Sequence, residues 1–412
     1  MQNVNLIVMS PLKAMLRPNG RVVLTRKFVD GMALYRELWK GPITLLCEPS
    51  EIESDNLDNI EISIEHAPFQ TVCEPFSDSG LSKLLSGPSI VFAGEVKHCN
   101  FASAVCRRAN VPCVYITEYT LKTRLQIVKA ERPSLLLGVV RSLHQIKQQV
   151  ALKRAISLAD GVQCNGAPTY SAYKRLTPWP LLFFDTRTNE DMLTTPERIS
   201  ARSANLVERP IHLVFSGRLK LMKGVDHLPL VADHLRKLGI PFKMSICGDG
   251  EYLPQLKQDV RKLGLLDCIT FRGTLDFKTE LLPFVADEAD LFVCCHPQGD
   301  PSCTYLETMA CGVPIVGYDN EALAGLVQVS GVGWTTPLND PKALAAKIAS
   351  LKPRELMIAA NQSLSFAGDH TFEKTFKRRI DHLDMLASAR LKPWSRWDNS
   401  GGGSLRHSDC AG

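Results

Sequence analysis

No apolar run of 18 or more residues occurs in the 412-residue chain, so no membrane-spanning helix is expected. No Cys-x-x-Cys pair occurs either, although thirteen cysteines are present. Cys47, Cys113, Cys247, Cys294 and Cys311 sit inside apolar stretches. That is the setting of small buried thiols in a reducing cytosol, not of disulfides or a metal centre. Neither sign of charge dominates: 48 Lys and Arg face 43 Asp and Glu, a net charge of +5. So mild a balance does not describe a general nucleic-acid binder. The opening "MQNVNLIVMSPLKAM" has a short apolar core without a basic lead or a small-residue cleavage site. It reads as a first strand rather than a secretory signal.

What is present is alternation. "VNLIVMS", "PITLLCE", "SIVFAGE", "PCVYITE" and "GVQCN" read as strands, most of them apolar throughout. Strands buried on both faces of a parallel sheet have that pattern. Helical stretches such as "FVDGMALYRELWK" and "NFASAVCRRAN" lie between them. Residues 185–209 are polar, lack a steady apolar period and read as an interdomain crossing. Alternation then restarts with "IHLVFSG", "FKMSICGDG", "CITFRG", "ADLFVCCHP", "GVPIVGYD" and "GVGWTTP". The expected organisation is an α/β chain with a Rossmann-like domain at 1–184, the crossing at 185–209 and a second such domain at 210–370. Helices at 371–397 would cross back to the first domain, and the Gly- and Ser-rich 398–412 would form a flexible tail. Trp394 and Trp397 are expected to help pack those last helices, in preference to anchoring at a membrane interface.

Ligands of doubly wound sheets bind at the carboxyl ends of the strands, and the distinctive residues cluster there. In "FSGRLKLMKGVDHL", Gly217 ends a strand, and Arg218 and Lys223 lie where a helix begins. Two cations at a helix start suit a phosphate or diphosphate; solvated loop charges are the equal alternative. In "CGDG", Gly248 permits close backbone approach, though most such turns are only turns. In "TFRG", Phe271 and Arg272 could flank a flat base, or Phe271 could be core. In "DPSCTYLETMACGVPIVG", Ser302 or Thr304 would cap a helix, with Glu307 one turn inside. Glu307 could accept hydrogen bonds from sugar hydroxyls beside a phosphate, or simply meet the helix dipole and solvent.

These segments, in this order over roughly 211–350, resemble glycosyltransferase family 4, the retaining nucleotide-sugar glycosyltransferases of the GT-B fold. The resemblance implies two Rossmann-like domains facing a cleft. It implies that Arg218 and Lys223 contact the donor diphosphate, Glu307 the ribose, and the backbone of Thr304, Tyr305 and Leu306 a phosphate. It places Arg272 by the nucleobase. Three features depart from the family. The first glutamate of its paired-glutamate motif falls on Gly299, with Asp300 one position away. The glycine pair after the first strand is replaced by "RPNGRVVLTRK". Glu118 and Tyr119 stand where many members have histidine.

The expected activity is therefore sugar transfer from a UDP- or GDP-sugar to a glycan, glycolipid or other glycoconjugate, in polysaccharide or cell-envelope assembly. No Asp-x-Asp triplet occurs, and the expected chemistry needs no metal and no cofactor beyond the nucleotide-sugar co-substrate. Arg218 and Lys223 would stabilise the departing diphosphate, and Glu118 or Asp300 would orient the acceptor or stabilise the sugar cation. The competing expectations are an epimerase or phosphorylase of the same fold, or a non-catalytic nucleotide-sugar-binding subunit. From Lys122 to Arg154, eight Lys and Arg (122, 124, 129, 132, 141, 147, 153, 154) face one acid, Glu131. Such a stretch suits an anionic membrane surface, with a solvated, Leu- and Val-packed helix as the equal alternative. The expected location is cytoplasmic, or peripheral on the inner face of the membrane.

Overall fold

The computed structural model describes residues 4–391 apart from 54–58, 66, 68, 132 and 205. Arg132, Trp394, Trp397 and the 398–412 tail lie outside the described residues.

The amino-terminal half is built on seven strands, all parallel. Their spatial order is Trp179–Phe183, Gly161–Asn165, Cys113–Thr117, Ser89–Gly94, Asn5–Met9, Ile43–Cys47, Gln70–Cys73. The central strands are buried along their whole length, which is why their sequences do not alternate. Burial pushes the thiols of Cys47 and Cys99 up to about 12, so they pack as apolar groups.

The carboxyl-terminal half is a six-stranded parallel sheet. Its order is Ile269–Gly273, Phe242–Cys247, Ile211–Ser216, Leu291–Cys294, Ile315–Tyr318, Trp334–Thr336. The first strand of this half lies in the middle and the chain winds outward on both sides, so a crevice opens beyond Ser216 and Cys294.

Two regions differ from the sequence expectation. Residues 17–27, to which the sequence assigned no element, complete a hairpin: Ala14–Leu16 and Arg21–Thr25 pair antiparallel, extended by Asn59–Ser63. Its turn closes with Arg17 N–H donating to Arg21 O at 2.8 Å, and Gly20 takes φ +72°. Thr25 then caps the helix Arg26–Leu38 by accepting from Phe28 N–H. Within 185–209, the helix Pro196–Ser203 forms, with Thr195 as its cap. It is too short, with too few apolar residues, to show a period. Its buried Arg202 donates to the carbonyls of Ala286, Cys311 and Gly312 and ties it to the second half.

The helix Phe372–Leu391 returns to the first half. Phe372, Phe376, Ile380, Leu383 and Leu386 join the core that contains Val4, Leu6 and Ile43. Its buried Arg379 donates to the Tyr35 hydroxyl at 2.8 Å and to Gln163 Oε1 at 3.0 Å.

Candidate functional site

The carboxyl ends of the two sheets face each other across a cleft of about 1240 Å³. Glu118, Asn165 and Asp185 line it from the first half; Gly217, Arg218, Lys223, Gly248, Asp300, Ser302, Thr304 and Glu307 line it from the second.

Two glycines set the second wall. Gly248 has φ +130°, and a Cβ there would lie 2.0 Å from Gly217 O; Gly224 has φ +63°, and its Cβ would lie 1.9 Å from Cys295 O. Only glycine permits either approach. The loops that carry Arg218 and Lys223 are thereby pressed against the neighbouring strand ends. Arg218 is exposed to the cleft, whereas Lys223 is buried.

Lys223 forms an ion pair with Asp300. Burial alone would push the Asp300 carboxyl up, but Lys223, by charge and by hydrogen bond, and Arg218 outweigh it and hold the group below the usual carboxylate range. The Tyr119 hydroxyl donates to Asp300 Oδ1 at 3.5 Å. His296, beneath this pair, has its pKa pulled down to about 3 by burial and by Lys223, so it is neutral; its Nδ1 lies 3.2 Å from the Tyr305 hydroxyl. Position 299 faces the contact between the two halves, not the cleft that Asp300 lines. A Cβ on Gly299 would meet Thr123 Oγ1 at 3.0 Å and Glu321 Cβ at 3.2 Å.

Glu307 is held by a residue that sequence reasoning missed. Arg187, in the crossing segment, grips it with both ends of the guanidinium: Nε to Oε1 at 2.8 Å and Nη2 to Oε2 at 3.2 Å. The Arg187 guanidinium also stacks 4.2 Å over the Phe277 ring. A carboxylate has about four acceptor sites, so Glu307 keeps acceptor capacity toward the cleft. Lys27 was also missed. It pairs with Asp185 and lies 2.9 Å from Cys303 Sγ, joining the first helix, the crossing and the Glu307 loop. Burial works against a charged Lys27, but Asp185 and Cys303 raise its pKa above the ordinary lysine value. Neither residue had a sequence signal, because each partner lies more than a hundred positions away.

Glu118 is exposed to the cleft. The enclosing walls push its carboxyl up, Asp185 adds to this, Lys27 opposes it and Asp300 adds again.

Two expected donor contacts, those of Arg272 and the Tyr305 amide, are placed elsewhere. Arg272 is outside the cleft lining: its guanidinium stacks 3.9 Å over Phe284 and reaches Glu288 at 3.4 Å. Successive residues of a strand face opposite ways, and this one faces the helix Leu282–Glu288. The side chains of Tyr305 and Leu306 are in the core. The Tyr305 N–H already donates to Ser302 O at 3.1 Å, so that amide is not directed at a phosphate.

Just beyond the strand Ser89–Gly94, Glu95 accepts from Tyr119 N–H at 2.9 Å and pairs with Arg124 at 3.0 Å. Its Oε2 is buried and has no hydrogen-bond partner among the described residues. Burial pushes the carboxyl up to about 8, with Arg124 opposing and Glu118 adding. An unfolded glutamate titrates near 4.5. Between these values the folded protein keeps a proton that the unfolded chain releases, so stability falls as pH rises, by about 1.4 kcal/mol per pH unit. Glu95→Gln removes that loss. Its midpoint of thermal unfolding, relative to the unsubstituted protein, is expected to climb between pH 5 and 8 and to be flat below pH 4. A constant difference would show that the Glu95 carboxyl has the same pKa in the folded and the unfolded chain.

Residues 197–357 match the family model described as "Glycosyl transferases group 1". The amylovoran biosynthesis glycosyltransferase AmsK of Erwinia amylovora is 28% identical over 167 residues, 39% of this chain and 40% of the relative. The putative colanic acid biosynthesis glycosyltransferase WcaL of Salmonella typhimurium is 28% identical over 159 residues, 37% of this chain and 38% of the relative. The alignments thus span about two fifths of the length of these curated relatives. Among solved structures, Anabaena HepE in complex with UDP superposes with a TM-score of 0.63 at 17% identity, covering 94% of this chain and all of that one. The fold is GT-B, with two Rossmann-like domains.

Proposed function

We propose that this chain is a retaining glycosyltransferase that moves a sugar from a UDP- or GDP-sugar to a glycan or lipid-linked acceptor in polysaccharide or cell-envelope assembly. The observation that carries this reading is the convergence of Arg218, Lys223 and Glu307 on one wall of the cleft, facing Glu118 on the other. A sugar nucleotide already carries a good leaving group, and the barrier lies in the charge that builds on the departing diphosphate. Arg218 and Lys223 would stabilise that charge without a metal, and Glu307 would accept from ribose hydroxyls. Asp300 holds Lys223 in place. The acceptor hydroxyl would attack C1 from the face the diphosphate leaves, forming the new C1–O bond as the old one breaks. Its proton would pass to the leaving phosphate oxygen, with Glu118 orienting the hydroxyl. The polysaccharide-assembly relatives and the UDP in HepE support the substrate classes.

A thermal-shift screen against UDP-, GDP- and ADP-sugars tests this. A bound donor at a hundred times its Kd stabilises the fold by about 2.7 kcal/mol, a rise of a few degrees in the unfolding midpoint. UDP or GDP with its sugar is expected to give that rise, and Arg218→Ala to abolish it. No shift with any nucleotide sugar would overturn the proposal.

A further inference from the structure

The helix Leu135–Ser157 is packed at one end only. Its buried residues are Gln149, Leu152, Ala155 and Ile156, and nothing from 135 to 148 is buried. Yet that free half is apolar. Eight of the twenty exposed large apolar side chains among the described residues are on this helix, with Leu135 at 92% exposure. With 3.6 residues per turn, Leu135, Val139, Leu143, Ile146 and Val150 form one stripe about 80° wide. Lys147, Lys153 and Arg154, all exposed, flank it. Exposed apolar area this contiguous marks an interaction surface.

We propose that this helix docks on an anionic membrane surface, lying in the headgroup plane with the stripe toward the acyl chains and the three cations toward lipid phosphates. Charge favours lipid over a second copy of the chain, since pairing two such helices would bring like charges together. Shape favours it too. Leu135, Leu136 and Leu137 are exposed on three successive sides of the helix tip, which a fluid apolar medium can surround and one protein face cannot. No helix among the described residues is long and apolar enough to cross a membrane, so the helix would lie on the bilayer. The adjoining helix Leu121–Ala130 carries a further exposed cation, Lys129, in its last turn, while its Lys122 is paired with Glu321 at 3.0 Å. Its Thr123 and Gln126 bond to the backbone of Gly299, the neighbour of Asp300 in the cleft wall.

The test is co-sedimentation with vesicles at low salt, a readout that does not depend on the transferase reading. The protein is expected to pellet with phosphatidylglycerol-containing vesicles and to stay in solution with phosphatidylcholine alone. Lys147→Glu/Lys153→Glu/Arg154→Glu is expected to weaken binding by about a hundredfold or more. Leu135→Ser/Val139→Ser/Leu143→Ser should abolish it, with the unfolding midpoint unchanged because these residues are exposed. Failure to pellet with anionic vesicles overturns the proposal, as does unchanged binding by either variant. So does a dimer in light scattering that the serine variant converts to monomer, which would assign the stripe to a second copy.

Discussion

Arg218→Ala is expected to lower kcat/KM by about 10²–10³, the usual cost of removing one preorganised donor to a developing negative charge. Its unfolding midpoint should hardly move, because Arg218 is exposed to the cleft. Lys223→Ala should cost as much in rate but also lower stability, because it strands Asp300, whose side chain is 14% exposed. Adding Asp300→Asn to Lys223→Ala should restore the unfolding midpoint and leave the rate low. This pattern separates an electrostatic role from a structural one. Full turnover in Arg218→Ala, or recovery of rate in the double variant, would remove these cations from the chemistry.

The second large effect concerns the Glu307 carboxylate, whose side chain is 6% exposed. Arg187→Ala leaves it without a counter-charge. Breaking a buried pair costs about 3–5 kcal/mol. The lower end is expected, because the Arg187 side chain is 40% exposed and water will reach the vacated position. Urea unfolding should show the loss, and Arg187→Leu/Glu307→Leu should recover most of it, since a double replacement leaves no buried charge behind. Arg187→Ala should also raise KM for the donor, because Glu307 loses the bidentate contact that fixes its direction. An unchanged unfolding free energy would mean that the pair is solvated in solution. Lys27–Asp185 and Lys223–Asp300 follow the same arrangement. In each, a cation of the cleft is held by an acid, so no buried charge is left uncompensated.

Much of the fold was legible in the sequence. Apolar runs of strand length, separated by helical stretches, specify parallel strands through a local period that survives without knowledge of any partner. The turns where strands end put Arg218, Lys223, Asp300 and Glu307 at one edge of one sheet for the same local reason. Ala14–Leu16 and Arg21–Thr25 were not legible. Three to five residues around an Arg-Pro-Asn-Gly turn carry too little pattern to stand out.

What the sequence by itself determined about this protein is thus the doubly wound architecture and the strand ends that bring Arg218 and Lys223 to the cleft. Only the tertiary structure decided what those groups touch. Arg187 meets Glu307 across 120 positions and Lys27 meets Asp185 across 158, distances that no local period encodes. It turned Arg272 onto Phe284, because the face a strand residue takes follows from which helix packs beneath it. It also left the stripe on Leu135–Ser157 open. An amphipathic helix has the same periodicity whether its apolar face is covered by the protein or left bare, and only packing distinguishes the two.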